Sequence, residues 1–287
     1  MTQEEKPLTR EEVLKMIEEH GGPEGLNLSL RNLSGIDLCG DINQLLDLQG
    51  IMFVAAKLQG ANLNHANLRG AILAQAELQG ASFLYSDLQG ADFRDAVLHK
   101  VWLYGAKISQ ETRLDNVDWS AKYILREEEG ALKGIEKYKG IRLGQALDVY
   151  RTLKQWHTQA GMYDIAGHFY FREMTVKRKV LKWWPNPLPR AWSKFLAVIC
   201  GYGERPLRVV ASAAVVVFGI ALGIYTASAL TFPSSLYHSV VSFTALGYGL
   251  GVSNVDGWVK AVGAAEAFMG VFMMALFLIT FVRKMTR

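Results

Sequence analysis

The sequence contains a long stretch without any charged residue. Asp, Glu, Lys and Arg together make up 20% of the 287 residues, yet none of them occurs between Val209 and Val255. Because a soluble domain rarely goes so far without a charge, this absence argues against an ordinary soluble fold for that part of the chain. The net charge of +4 is small, so it gives no reason to expect binding to nucleic acid.

Cysteine is also scarce, with Cys39 and Cys200 as the two examples. Two thiols cannot form the disulfide framework of a small secreted domain, so we expect the soluble part to lie in the reducing cytosol. The N-terminus has no basic region followed by an apolar core. We therefore expect no cleaved secretory signal.

Recognisable catalytic motifs are missing as well. The sequence has no phosphate-binding loop, no cluster of metal ligands and no nucleophile next to a base. Four of the six histidines are scattered along the chain, at His65, His99, His157 and His168. We therefore predict that the protein is not an enzyme and has no cofactor.

The first half of the chain has a period of five residues. From Leu28 to Ile108 every fifth residue is Leu, Phe or Ile, with Asn43 as the exception. From Ala56 to Ala106 the residue two places before each of these is nearly always alanine. Neither a helix, with a period of 3.6, nor a strand, with a period of 2, repeats in this way. The period fits a coil with sides one repeat long, whose large residues fill the interior beside small ones.

These repeats resemble the pentapeptide-repeat family, with the pattern A-(D/N)-L-x-x. Examples are Ala61-Asn62-Leu63 and Ala66-Asn67-Leu68, and the resemblance covers Leu26 to Ile108. It implies a right-handed quadrilateral β-helix of about four coils, stacked at about 4.8 Å. The early repeats lack the small residue, which is typical of a solenoid cap, and the Thr-Arg-Glu-Glu sequence at Thr9 predicts a capping helix.

Some members of this family mimic DNA, which requires an acidic surface. Residues 26–110 contain six Lys/Arg and seven Asp/Glu, a nearly balanced set. We therefore interpret the repeats as a scaffold with a mixed surface, on which an unidentified ligand or protein binds.

Helical spacing replaces the five-residue period after Trp119. Apolar residues recur at helical intervals from Leu143 to Lys179, and Gly161 divides them into a hairpin of two helices. A basic run then leads into Trp183, Trp184 and Trp192. Tryptophan beside Lys and Arg, just before an apolar segment, is typical of a membrane interface. The alternative is a basic surface helix followed by a turn.

Two segments are long and apolar enough to cross a membrane. They are Val209–Leu230 and Trp258–Val282. Residues 172–208 contain nine Lys/Arg and two Asp/Glu, whereas the loop between the spans has no Lys or Arg. The positive-inside rule therefore places both termini in the cytoplasm and the loop outside. The expected location is the plasma membrane, with the lipid bilayer as a partner.

The loop between the spans contains its own helical signal. Pro233 lies in the first turn of a short segment, 232–243, that is apolar but too short to span, so we predict a re-entrant helix. The sequence Thr-Ala-Leu-Gly-Tyr-Gly follows from Thr244, at the C-terminal end of that helix, where the helix dipole attracts a cation. A second Gly-Tyr-Gly at Gly201 has no such helix before it, and we interpret it as a turn.

This segment resembles the pore of potassium channels, in which a pore helix precedes T-T-V-G-Y-G. The chain resembles prokaryotic two-transmembrane potassium-channel-like proteins with an N-terminal pentapeptide-repeat domain, over the repeats, the sequence A-G-H-F-Y-F-R-E-M, the pore and the ending F-V-R-K-M-T-R. The resemblance implies a homotetramer. It also implies a selectivity filter at Thr244, Ala245, Leu246, Gly247, Tyr248 and Gly249. Potassium would bind the backbone of Ala245, Leu246, Gly247 and Tyr248.

Together these patterns predict a multidomain membrane protein. The domains are a capping helix (1–25), a pentapeptide-repeat β-helix (26–118), a helical linker with a hairpin (119–182), an interfacial helix (183–206) and a two-transmembrane pore domain (207–287). The predicted function is a tetrameric cation channel that conducts potassium. The alternative is a membrane-anchored interaction scaffold with a non-conducting pore.

Several pore residues depart from the family pattern or admit two roles. Ala245 replaces the filter threonine and Leu250 replaces the usual Asp, which leaves selectivity over sodium open. Glu266 is predicted to support the filter, with pH sensing as an alternative, and His238 is a second support residue. Gly270 is either a gating hinge or a close-packing site. Phe277 and Phe281 form either a hydrophobic gate or a lipid-facing pair.

Overall fold

A computed structural model describes residues 6–120, 125, 126, 128, 136–181, 184, 187–228, 230–244 and 257–285. The chain forms two compact units, Met1–Val180 and Leu181–Arg287. The first unit contains helix α1 (Arg10–His20), strands β1 (Leu46–Asp47) and β2 (Ala66–Asn67), and helices α2 (Glu136–Gln159) and α3 (Tyr163–Val180). The second contains α4 (Pro187–Ile199), a 3₁₀ turn (Gly201–Gly203), α5 (Pro206–Ala227), α6 (Phe232–Thr244) and α7 (Gly257–Met285).

The five-residue repeats stack on one another as successive coils. Parallel bridges join residues 20 positions apart, such as Asn62 with Ser82 and Ser82 with Trp102, so one coil contains four repeats. Backbone N–H groups donate from coil to coil, for example from Leu63 to Ser82 at 2.8 Å. The fifth-position apolar residues and their neighbouring alanines fill the interior. Regular strand is limited to β1 and β2 among the described residues, and the right-handed quadrilateral shape stays a prediction.

The first coil is one repeat longer than the next. Its bridges join residues 25 apart, as in Asp37 with Asn62, whereas Leu46 pairs with Ala66. The extra residues, 41–45, lie exposed outside the stack. The loop closes at Gly40, where a Cβ would lie 2.1 Å from the His65 carbonyl oxygen. Because the insertion is one repeat long, the period is preserved across it, and the polar Asn43 falls on the exposed loop.

The end of the repeats also carries an insertion. Asp92 bridges Arg113, and Val97 bridges Asp118, so the spacing there is 21 residues. One additional residue is therefore accommodated after Ile108. This explains why the five-residue period ends at Ile108 in the sequence, although the coil continues to Asp118.

Helix α1 covers the first coil. The predicted capping box is confirmed: the Glu12 N–H donates to the Thr9 hydroxyl, and the Thr9 N–H donates to the Glu12 carboxylate. The Arg10 guanidinium donates to the Asp37 carbonyl at 2.9 Å, and Val13 is fully buried in the core of the repeats. The helix therefore shields the apolar end of the stack.

Helices α2 and α3 form the predicted hairpin, with Gly161 at a φ of 75° between them. Buried carboxylates form hydrogen bonds with side chains of both helices of this hairpin. Glu128 accepts from the Tyr150 hydroxyl at 2.7 Å and from the Lys179 ammonium at 2.6 Å. Glu173 accepts from Lys154 at 2.7 Å. Removing Lys179 would leave the buried Glu128 carboxylate without this cation, whereas Glu173 also accepts from Arg151 at 3.1 Å. These pairs fix how the two helices pack.

His157 lies inside an aromatic cluster where the hairpin meets the last coil. Its ring is fully buried between Trp119, Trp156 and Phe169, with centroids 6.4, 4.8 and 5.0 Å away. Nδ1 bonds the Leu153 carbonyl at 2.7 Å, while Nε2 has no partner among the described residues. Burial lowers the pKa of the His157 imidazole below its ordinary value of 6.5.

This burial predicts acid sensitivity of the first unit. The unfolded chain takes up a proton below about pH 6.5, whereas the buried imidazole stays neutral, so stability is full above that pH and falls as the solution is acidified. We expect the full-length protein to lose up to about 1.4 kcal/mol of unfolding free energy per pH unit through this residue. Urea unfolding at pH 7.5 and 5.5, followed by tryptophan fluorescence, measures this loss. A His157→Asn variant should show a smaller loss, and an equal loss in both proteins would contradict the assignment.

Candidate pore site

The Gly-Tyr-Gly at Gly201 forms a tight elbow between α4 and α5. Gly201, Tyr202 and Gly203 have φ angles of 56°, 57° and 86°, three successive left-handed residues. The buried Tyr202 ring places its hydroxyl 2.9 Å from the Ser193 hydroxyl of α4. The elbow is therefore braced by its own tyrosine, and this segment is a turn, as the sequence predicted.

Helix α4 presents a row of large apolar side chains to its surroundings. Leu188 is 81% exposed, Trp192 and Phe195 stack with centroids 5.3 Å apart, and Val198 continues the row. Arg190 and Lys194 lie on the same helix. An amphipathic helix with exposed tryptophan and basic residues is typical of a membrane interface.

Helices α5 and α7 are long and apolar enough to cross a membrane. Between them lies α6, which has 13 residues. At 1.5 Å per residue such a helix reaches about 20 Å, short of the hydrocarbon core of about 30 Å. The unit therefore has the order span, short helix, span.

Small hydroxyl residues form the buried face of α6. Ser235, Ser239 and Ser242 are spaced at four and three residues and are all buried, whereas Tyr237 and Val240 are exposed. In a membrane, helices approach most closely through small side chains, and polar groups between them form hydrogen bonds. This serine face explains how α6 packs against both α5 and α7.

Ser239 links all three helices. Its hydroxyl bonds the Val217 carbonyl of α5 at 2.9 Å and also bonds the Glu266 carboxyl group of α7. Glu266 is fully buried, and its second carboxyl oxygen has no partner among the described residues. The sequence predicted Glu266 as a support residue, and the structure identifies Ser239 as its contact.

Gly270 provides the second contact between α6 and α7. A Cβ on Gly270 would lie 1.8 Å from the carbonyl oxygen of Phe243 and 2.7 Å from its carbonyl carbon. Only glycine therefore allows the last turn of α6 to lie directly on α7. Gly270 therefore lies at a close-packing position, and its role as a gating hinge stays a prediction. We refer to Val217, Ser239, Phe243, Glu266 and Gly270 together as the α6 seat.

The remaining predicted residues fall at different places. Thr244 ends α6, and its hydroxyl donates to the Val240 carbonyl at 2.8 Å. His238 is half-buried on α6, with Nδ1 3.4 Å from the Ser242 hydroxyl. The other residues predicted to form the filter lie outside the described residues: Ala245, Leu246, Gly247, Tyr248 and Gly249.

Phe277 and Phe281 stack near the C-terminal end of α7, with centroids 5.7 Å apart. Phe277 packs on a cluster of Cys200, Val209 and Met273, which joins the elbow to both spans, whereas Phe281 is 43% exposed. Phe277 is thus partly held between helices rather than fully directed outward. The hydrophobic gate and the lipid-facing pair both stay predictions.

Ser239 was missed from the sequence, although a signal was present. Serines at positions i, i+4 and i+7 of a short helix inside an apolar segment mark one face. Val217 contributes only its backbone, so its side chain carried no information about the contact.

Two family models match separate parts of the chain. Residues 53–83 and 71–110 match pentapeptide repeats (8 copies). Residues 207–287, which include the α6 seat, match an ion channel. A comparison with curated proteins found no match.

Solved pentapeptide repeat proteins are similar to the first part of the chain. Rfr23 from the cyanobacterium Cyanothece 51142 is 32% identical over 31% of this chain and 60% of its own, with a TM-score of 0.18. A protein from Nostoc PCC 7120 (alr5209) is 31% identical over 39% of this chain and 78% of its own, with a TM-score of 0.18. A thylakoid lumen protein of Arabidopsis thaliana is 25% identical over 39% of this chain and 81% of its own, with a TM-score of 0.20. This chain therefore spans less than two thirds of the length of Rfr23.

Proposed function

We propose that this chain, which belongs to the pentapeptide-repeat family and ends in an ion-channel segment, is a tetrameric cation channel that conducts potassium. One observation carries the proposal: the last turn of α6 packs on Gly270, between two apolar helices, and the helix ends at Thr244, the first residue of Thr-Ala-Leu-Gly-Tyr-Gly. A short helix that ends inside a membrane directs its partial negative charge at that point, which favours a cation.

A single chain supplies one such segment. Backbone carbonyls select a cation only as a closed ring that replaces its hydration shell, so four copies around one axis complete the filter. Ala245, Leu246, Gly247 and Tyr248 supply those carbonyls in the proposal. The exposed apolar faces of α5 and α7 then meet lipid and neighbouring copies of the chain.

The repeats form a cytoplasmic right-handed quadrilateral β-helix in this proposal, and both termini are cytoplasmic. The basic excess before α5 supports this orientation, because the segment between the spans lacks Lys and Arg. A single cysteine at position 253, in a chain whose Cys39 and Cys200 are replaced by serine, should react with an impermeant thiol reagent added outside intact cells. Reaction only after permeabilisation would contradict the orientation.

Unitary currents test the channel function. Purified protein in planar lipid bilayers should give discrete cation currents that reverse toward the potassium equilibrium potential in a potassium gradient. The second candidate, a membrane-anchored scaffold with a non-conducting pore, is favoured by the replacement of the filter threonine. A correctly folded tetramer that gives no current would support the scaffold and overturn the channel.

Ala245→Thr should raise the selectivity for potassium over sodium. A dehydrated potassium ion at the innermost site needs oxygen ligands, and alanine offers no hydroxyl there. Four threonine hydroxyls, one from each chain, would complete that shell, and we expect the permeability ratio to rise about tenfold, equal to about 1.4 kcal/mol. Reversal potentials in mixed potassium and sodium measure this ratio. The Ala245→Ser variant, which also supplies a hydroxyl oxygen at this position, is measured in the same way. An unchanged ratio in both variants would mean that the inner site does not control selectivity.

A further inference from the structure

A small pocket lies in the first unit, where α2 packs against the last coils of the repeats. Its volume is about 290 Å³, at the small end of the range for ligand-binding cavities. The residues that matter for its chemistry are Tyr85, Leu103, Tyr104, Asp148, Val149 and Leu153. All of its lining residues belong to the first unit.

Two tyrosine rings form adjacent walls of this pocket. The Tyr85 and Tyr104 rings are 5.7 Å apart at an interplanar angle of 79°, so they meet nearly at a right angle. His65, one coil earlier, stacks on Tyr85 at 5.3 Å and 15°. This column of rings fixes Tyr85, although its side chain is 49% exposed.

Gly105 makes room for the Tyr85 ring. A Cβ at this position would lie 2.4 Å from the ring, so any other residue would displace it. Gly105 itself has a φ of 73°, in the region that glycine adopts most readily. The backbone at Gly105 therefore leaves space for the Tyr85 ring beside the last coils of the repeats.

The opposite wall combines apolar side chains with a carboxylate. Val149 and Leu153 of α2 are largely buried, and Asp148 lies beside them at the pocket edge. The Arg151 guanidinium is 3.5 Å from Asp148, but its Nε bonds Glu173 at 3.1 Å. Lys154 also pairs with Glu173, at 2.7 Å, and the Asp148 side chain is 62% exposed, so its carboxylate stays accessible at the pocket.

These walls define the chemistry of the ligand. The faces of aromatic rings attract cations, and a bulky methylated ammonium group is bound well by aromatic walls because it is charged, weakly hydrated and apolar in shape. A carboxylate adds charge complementarity, whereas it disfavours an anion. No group of metal-binding side chains occurs among the described residues, so a metal ion is a poor fit. We propose that this pocket binds a small quaternary ammonium cation.

Choline and its uncharged isostere, 3,3-dimethyl-1-butanol, test the proposal. Both have the same branched shape, but only choline carries a charge. Isothermal titration of the full-length protein in detergent should show saturable choline binding, with the isostere at least about tenfold weaker. Asp148→Asn and Tyr85→Leu should each weaken choline binding by about tenfold or more.

The controls separate a specific site from an adventitious one. Tyr163 is another exposed tyrosine of the same unit outside this pocket, and Tyr163→Leu should leave choline binding unchanged. Asp148→Asn changes an exposed helix residue, so it should keep the fold, as circular dichroism would verify. Absence of choline binding, equal binding of the isostere, or unchanged binding in Asp148→Asn and Tyr85→Leu would each overturn the proposal.

Discussion

Gly270→Ala should abolish or strongly reduce ion conduction while leaving the protein in the membrane. The added methyl group would lie 1.8 Å from the Phe243 carbonyl oxygen, so the last turn of α6 must move by about 1 Å. That turn leads directly into the sequence proposed as the filter, and overpacking of this kind costs about 1–3 kcal/mol. We expect potassium flux to fall by at least about tenfold.

Gly219 of α5 offers a matched control for this substitution. A Cβ at Gly219 meets nothing within 4 Å, so Gly219→Ala should conduct normally.

Single-channel recordings distinguish a packing role of Gly270 from a hinge role. If Gly270 acted only as a hinge, Gly270→Ala would change the open probability and leave unitary conductance and selectivity intact. The α6 seat instead predicts lower conductance or lost selectivity.

Ser239→Ala should destabilise the assembled protein, because it leaves Glu266 buried without its hydroxyl partner. A buried polar group that loses its partner costs about 1–3 kcal/mol, more when it is charged. Glu266→Gln keeps a group that can bond Ser239 and should lose less stability than Glu266→Ala. Thermal dissociation of the oligomer in mild detergent measures each effect.

The double substitution of Ser239 and Glu266 tests directly whether these two residues interact. When both partners of a buried hydrogen bond are removed, neither remains unsatisfied, so Ser239→Ala with Glu266→Ala should cost less than the sum of the two single changes. The Ser212→Ala variant, on a half-buried serine of α5, is a control for a serine outside the α6 seat. Strict additivity of the two single changes would show that Ser239 and Glu266 do not interact.

The repeats illustrate how far a periodic sequence determines a structure. A period of five with alternating large and small residues predicted the stacked coils, because each repeat occupies the same environment as its neighbours. The loop at 41–45 was hidden because it is one repeat long and keeps the period. The one-residue insertion after Ile108 had the opposite effect: it ended the period while the coil continued.

The candidate site was only partly predictable. Proline in the first turn and an apolar segment too short to span predicted α6. The helix before it distinguished the Gly-Tyr-Gly at Gly247, the predicted filter, from the one at Gly201, which has no such helix before it. The contacts that hold α6 involve backbone atoms of Val217 and Phe243, which any residue carries. Sequence patterns report side chains, so such contacts become visible only when the helices are placed in space.

The most direct test of the channel proposal is potassium uptake into liposomes that contain the purified full-length protein. The liposomes contain more potassium than the external solution, and an electrical potential, negative inside, drives uptake. Liposomes with wild-type protein or Gly219→Ala should take up potassium under these conditions, whereas those with Gly270→Ala should take up at least about tenfold less. Equal uptake by all three proteins would contradict the role of the α6 seat. Absence of uptake by the folded wild-type tetramer would contradict the channel itself.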